Sequence, residues 1–147
     1  ASFARATTLE KLSLERMTRE ADVIVRGRVE ELDTRQAPDR RSATTAITVS
    51  VASQLKGAQV SSLSIEQPGG AMGEVTQGVA GLPEFSPGEH VLVFLKRQRS
   101  GAYVVVGGRQ GKFSVRTPEG EQEMAEDFAH RTEALDTLVD RIRRITK

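Results

Sequence analysis

The stretch DVIVRGRVE, residues 22–30, alternates apolar and charged side chains and decides how the rest of the chain is interpreted. Val23, Val25 and Val29 fall on one face of an extended segment, and the charged residues fall on the other. Gly27 interrupts the apolar face in mid-strand. A glycine there is typical of a bulge or sharp bend, with which small barrels turn corners. The stretch therefore predicts a bent strand of a β-barrel.

Five further strands are predicted from the same alternation and from the turn residues between apolar runs. A polar hairpin tip at residues 34–42 separates the first strand from the second. The later strands are expected at residues 44–51, 60–67, 91–95, 103–106 and 112–116. The turn at residues 118–120 is expected to close the sheet region, and residues 121–131 are interpreted as a charged, solvated tail.

A short helix is expected before the strands and an amphipathic helix after them, with Ser13 and Thr132 as their caps. The second helix could cap the barrel or pair with another chain. Together the elements predict a mainly β fold: a small antiparallel barrel of five or six strands, of the oligonucleotide/oligosaccharide-binding type. We expect a single domain over 1–147, with the barrel core at 12–116 and the C-terminal helix at 132–147.

Composition limits the chemistry that the chain can perform. The 147 residues include no cysteine, which excludes disulfide frameworks, thiolate zinc sites and thiol nucleophiles. Twenty-one basic residues against 20 acidic ones leave a net charge of +1, so electrostatic attraction of the whole molecule to nucleic acid has no obvious source. The longest apolar runs are far shorter than the ~20 residues of a membrane helix.

Motifs for catalysis, metals and cofactors are missing. His90 and His130 have no partner at a metal-binding helical spacing, and no serine lies in Gly-x-Ser-x-Gly. The acidic run at residues 119–127 lacks the calcium-loop pattern. The glycine-rich residues 68–73 lack the Gly-Lys-Ser/Thr ending of a phosphate-binding loop. We therefore expect no catalytic residues, no metal and no cofactor.

The segment between the third and fourth strands is the main candidate for binding. Residues 69–88 are rich in glycine and proline and are expected to form a long ordered loop. Its apolar side chains are interpreted as binding residues: Met72, Val75, Val79, Leu82 and Phe85. The alternative is a loop packed onto the barrel, because soluble monomers rarely expose apolar loops.

A second candidate surface is basic. Its members would share one face if their strands adjoin: Arg26, Arg28, Arg109 and Lys112. With Tyr103 and Phe85 as stacking aromatics, such a face would suit single-stranded nucleic acid. An ordinary solvent-exposed face explains the same residues equally well.

Six short motifs stand in order along the chain: Ser-Leu-Glu at 13–15, Ala-Asp-Val-Ile-Val-Arg-Gly-Arg-Val at 21–29, Leu-Lys-Gly at 55–57, Pro-Gly-Gly at 68–70, Phe-Ser-Pro-Gly-Glu at 85–89 and Gln-Gly-Lys-Phe at 110–113. In this combination residues 12–115 resemble an uncharacterised group of exported bacterial domains. The progression is also similar to the netrin-like barrels of tissue inhibitors of metalloproteinases. Those inhibitors use an N-terminal cysteine and disulfides, which this chain lacks, so no inhibitory residue is carried over.

The first hypothesis for function is a non-enzymatic, exported protein-interaction module, an accessory part of a cell-surface or envelope assembly. The resemblance implies a periplasmic or extracellular location, and the start at Ala1 suits the end left when an export signal is removed. Two alternatives stay open: a barrel that inhibits metalloproteases, and a nucleic-acid or oligosaccharide binder.

Overall fold

The computed structural model describes residues 11–36, 43–69, 71–72, 75–76 and 81–147. The helices are α1 (Leu14–Glu20) and α2 (Leu135–Thr146), and a 3-10 turn spans Gly108–Gly111. The strands are β1 (Val23–Gln36), β2 (Ala43–Lys56), β3 (Ser62–Pro68), β4 (Ala71–Met72), β5 (Val75–Thr76), β6 (His90–Arg97), β7 (Tyr103–Val105), β8 (Lys112–Arg116), β9 (Met124–Glu126) and β10 (Thr132–Ala134).

Five of the strands close into a barrel. They follow the order β1-β2-β3-β7-β6, and β6 returns to pair with β1. Neighbours are antiparallel except β3 and β7, which run parallel and meet at Ile65 and Tyr103. The predicted fold class is confirmed: a mainly β barrel of five strands, with a short helix before it and a second helix after it.

The barrel interior is filled from alternate positions of its strands. Its fully buried members are β-branched or leucine side chains: Val25, Val29, Ile47, Val49, Ile65, Val91, Val93 and Leu95. The bend predicted at Gly27 is present, because the β1–β2 register shifts between Arg26 and Gly27. The bent strand pairs with β6 only from Val23 to Arg28 and continues with β2 as far as Gln36.

The last barrel strand is interrupted. β7 pairs with the second half of β6, whereas β8 pairs with its first half. Between β7 and β8 the chain leaves the β6 pairing and forms the 3-10 turn. The turn brings the backbone of Gly111 so close to Val106 that a Cβ atom at Gly111 would lie well under 3.0 Å from the Val106 carbonyl oxygen. β7 meets β3 at a single residue pair, and residues 81–86 lie beside this part of the wall. They are held by Gln67, which donates to the Pro83 carbonyl at 2.9 Å.

Two short strands extend the sheet beyond the barrel. β9 pairs with the outer edge of β8, and β10 pairs with β9. The prediction that the sheet closes at residues 118–120 and that residues 121–131 form a tail is therefore wrong. Each of these strands has only three residues, and Ala125 is the one that is buried, so the sequence contains no alternation long enough to reveal them.

The two helices cover the outer face of β1, β6, β8 and β9. A second core lies beneath them: Met17, Ala21, Ile24, Leu92, Phe94, Val106, Phe113, Val115, Ala125, Leu135, Leu138 and Ile142. Ser13 caps α1 as predicted, since its hydroxyl accepts from the Arg16 amide at 3.1 Å. The Thr132 cap is wrong, because Thr132 lies in β10 and α2 begins at Leu135 with no side-chain cap. No helix among the described residues has the length and apolarity needed to cross a membrane.

Candidate binding site

The predicted binding segment is only partly a loop, because residues 71–72 and 75–76 pair as the small hairpin β4–β5. Met72 and Val75 are backbone register partners in this hairpin, and Val79 lies outside the described residues. Leu82 is partly exposed, whereas Phe85 is 8% exposed and belongs to the barrel core. Phe85 is therefore a packed anchor and not an exposed stacking residue.

A lysine clamps the end of this segment to β8. The Lys112 Nζ atom lies 2.9 Å from a Glu89 carboxylate oxygen and 4.9 Å from the centre of the Phe85 ring, and it also donates to the Glu84 carbonyl. Ser114 donates to the same Glu89 carboxylate at 3.0 Å. The Lys112 side chain is 12% exposed, so its charge is used inside the fold. We call this group the Lys112 clamp.

The four predicted basic residues do not share one face. Arg26 is opposite Leu92 in the β1–β6 register, on the helix-covered side, and is ion-paired with Glu123. Lys112 is opposite Val93, on the barrel-interior side. Because successive residues of β6 point to opposite faces, Arg26 and Lys112 lie on opposite sides of the wall. Arg28 is exposed near Glu30, at 3.8 Å.

The structure brings Leu82, Arg109 and Lys112 together around one groove. It has a volume of about 370 Å³ and lies between residues 82–84, β8 and the turn that joins β9 to β10. The remaining lining side chains include Arg116, Glu126, Asp127, Phe128 and His130. One residue of the predicted apolar loop, Leu82, and two of the predicted basic set, Arg109 and Lys112, thus meet residues that the sequence assigns to a solvated tail.

The β9–β10 turn presents an aromatic ring to this groove. Phe128 is 39% exposed, and the Arg109 guanidinium lies 5.1 Å from the centre of its ring. The Asp127 carboxylate accepts from the amides of Ala129 and Arg131 at 2.8 and 2.9 Å, which fixes the turn. An aspartate that starts such a turn before an aromatic residue is the signal from which this site could have been found.

The backbone of His130, in the same turn, is strained. Its φ is 62°, the only positive φ at a non-glycine residue among those described. Its side chain is 85% exposed and lies 3.0 Å from Glu126, an ion-pair geometry that adds little at such exposure. Left-handed backbone at a residue with a Cβ atom is concentrated at functional sites, where the surrounding structure maintains it.

His130→Gly is expected to raise the free energy of unfolding by about 0.5–1 kcal/mol, because glycine adopts positive φ without a Cβ clash. Urea denaturation monitored by circular dichroism measures the change. The matched control is Ala129→Gly in the same turn, which has no positive φ to relieve and should lower stability. Equal effects of the two substitutions would contradict strain at His130.

A second cavity of about 200 Å³ is also lined by Phe128. Its apolar floor comes from the residues just before α1, from both helices and from β8: Leu12, Leu14, Met17, Phe113 and Leu138. Its rim is polar and includes Lys11, Arg131 and Glu133. Phe128 and Asp127 line both this cavity and the groove, so the turn stands between a charged recess and an apolar one.

The β2–β3 face, where barrels of the oligonucleotide-binding type take their ligands, is built differently here. Its outward side chains are small, polar or acidic along the paired segment: Thr44, Ala46, Thr48, Ser50, Ser62, Ser64, Glu66 and Pro68. This paired segment, which is fully described, has no outward aromatic or basic side chain. Within the described ranges, no three His, Cys, Asp or Glu side chains come together as a metal site.

Comparison with known proteins assigns no family. No protein-family model matches the chain, and no curated protein matches its sequence.

Proposed function

We propose that this chain is a non-enzymatic protein-binding module that takes a segment of a partner protein in the groove beside the β9–β10 turn. The groove is concave, has the volume of an ordinary ligand pocket and is flanked by an exposed aromatic ring. Export to the periplasm or cell surface, as an accessory part of an envelope assembly, belongs to the same proposal. It is supported by the motif resemblance, and fractionation of the source cells tests it.

The observation that carries the proposal is the pair formed by Phe128 and Arg109. Aromatic residues and arginine are the side chains most enriched where interfaces concentrate their binding energy. Here they are stacked on each other at the mouth of a groove, on a turn that Asp127 holds rigid. A rigid turn loses little conformational entropy on binding, which favours affinity.

Phe128→Ala is expected to reduce partner capture about 30-fold or more, because truncating a hot-spot residue of an interface weakens binding by about 2 kcal/mol or more. The measurement is quantitative mass spectrometry of proteins retained from the source envelope fraction by the immobilised chain. Leu32→Ala is the matched control, since Leu32 is the other large apolar side chain exposed among the described residues, at 37% against 39%. A protein retained by wild type and Leu32→Ala but lost with Phe128→Ala supports the proposal; equal retention by all three contradicts it.

Neither alternative function gains support from a particular observation. Metalloprotease inhibitors of the netrin-like type need an N-terminal cysteine, and this chain has no cysteine. A binder of single-stranded nucleic acid needs stacking aromatics on a basic groove. The outward side chains of the β2–β3 paired segment supply neither, and Phe85, one of the two predicted stacking residues, is buried.

A further inference from the structure

The cations of the groove are not equally available to a ligand. Lys112 is paired with Glu89 at 2.9 Å, and Arg116 is paired with Glu126 at 3.3 Å. Arg109 has no ion-pair partner among the described residues, and its contact is the Phe128 ring. A guanidinium stacked on an aromatic ring keeps its N–H donors free for a carboxylate.

A second cation, Lys11, lines the cavity that shares Phe128 and Asp127 with the groove. The Leu12 amide donates to the Gln110 side-chain oxygen at 2.8 Å, which ties residue 11 to the neighbourhood of residue 109. Lys11 lines the second cavity, whereas Arg109 lines the groove, and Phe128 lines both. Lys11 has no ion-pair partner among the described residues. The free carboxylate of the groove, Glu84, lies on the wall formed by residues 82–84 and not on the turn side.

The second cavity provides an apolar recess on the same side. Its volume of about 200 Å³ accommodates one aliphatic or aromatic side chain, with one side of the recess open to solvent. Leu12, Phe113 and Leu138 form much of its floor. The recess and the two cations without an ion-pair partner among the described residues, Arg109 and Lys11, therefore all adjoin residues that contact or line the same place as the Phe128 ring.

We propose that the partner segment is an acidic–apolar peptide: an acidic side chain is bound by Arg109 and Lys11 beside the Phe128 ring, and a neighbouring apolar side chain enters the second cavity. This inference rests on the proposed function and names the chemistry of its partner. Charge complementarity selects the acidic residue, and cavity size limits the apolar anchor to one side chain.

Selection from a displayed library of random 12-residue peptides tests the inference. The library is selected on the wild-type chain and depleted on Phe128→Ala, so that only peptides that need the ring are kept. We expect these peptides to share an acidic residue within a few positions of Leu, Ile, Met or Phe. Replacing that acidic residue by its amide should weaken binding about 10-fold or more, as measured by fluorescence anisotropy of the labelled peptide, since a charged partner is lost.

Charge reversal at the recognition residue sharpens the test. Selection on Arg109→Glu should replace the acidic position by Lys or Arg, whereas the same change at Arg99, an exposed arginine that does not line the groove, should leave the acidic preference intact. Thermal unfolding checks that both variants stay folded. Ring-dependent peptides without an acidic residue overturn this inference and leave the proposed function standing; the absence of any ring-dependent peptide overturns both.

Discussion

Gly27→Ala is expected to destabilise the barrel by about 3 kcal/mol or more, because the added methyl group meets backbone that cannot move away. A Cβ atom at this position would lie well under 3.0 Å from the Ser50 carbonyl oxygen and 2.8 Å from the Val49 Cγ1 atom. Ser50 and Val49 belong to the paired strand β2, so relief would break the ladder at the bulge. Differential scanning calorimetry should show a fall in melting temperature of roughly 6–12 °C for a domain of this size.

The matched control is Gly101→Ala, at a glycine with a φ of 94° and no atom within 4 Å of the added Cβ. Its cost is conformational and should be about 1 kcal/mol. Gly27 does not have a positive φ, so the stability lost in Gly27→Ala reports the lack of space for a methyl group. The stability lost in Gly101→Ala reports the backbone conformation instead. Gly27→Ala with a stability equal to wild type would show that the β1–β2 bulge does not need this close approach.

The bent first strand could be predicted because its signal is local. Val23, Val25 and Val29 alternate in sequence, and Gly27 interrupts them at the position where the register shifts. The β9–β10 hairpin could not be predicted in the same way, since each strand has three residues and is formed by pairing with β8 rather than by its own alternation. The α2 start was misplaced for the same reason: Thr132 has the chemistry of a cap, but pairing with Glu126 places it in a strand.

The candidate site was predicted only in pieces. Leu82 and Arg109 were singled out from unrelated patterns, an apolar loop and a scattered basic set, and the fold brings both to one groove. Phe128 was missed because it lies within a charged segment whose average composition indicates solvent exposure. The composition of a window cannot show that the aspartate before the ring binds two amides and holds it in place.

Lys112→Met is expected to lower the free energy of unfolding by about 2–3 kcal/mol, because it removes a charge that satisfies a half-buried carboxylate and a carbonyl. The methionine side chain keeps most of the packing, so the loss reports the Lys112 clamp and not a cavity. Hydrogen exchange of the amides at residues 84–89 should accelerate more than that of the β1–β2 ladder, because residues 84–89 are the segment that Lys112 attaches to β8. Lys96→Met, at an exposed lysine of β6, is the control and should change stability by less than about 0.5 kcal/mol.

The partner of the lysine decides how this result is interpreted. In Lys112→Met the Glu89 carboxylate keeps Ser114 and the Ser86 amide as donors but loses its cation. Adding Glu89→Gln removes the uncompensated charge, so the double variant should be more stable than the sum of the two single losses predicts, by about 1 kcal/mol or more. A strictly additive pair would mean that Lys112 stabilises the segment through Phe85 and the Glu84 carbonyl alone. Loss of the clamp should also reduce partner capture even though Phe128 is unchanged, because residues 82–84 form one wall of the groove.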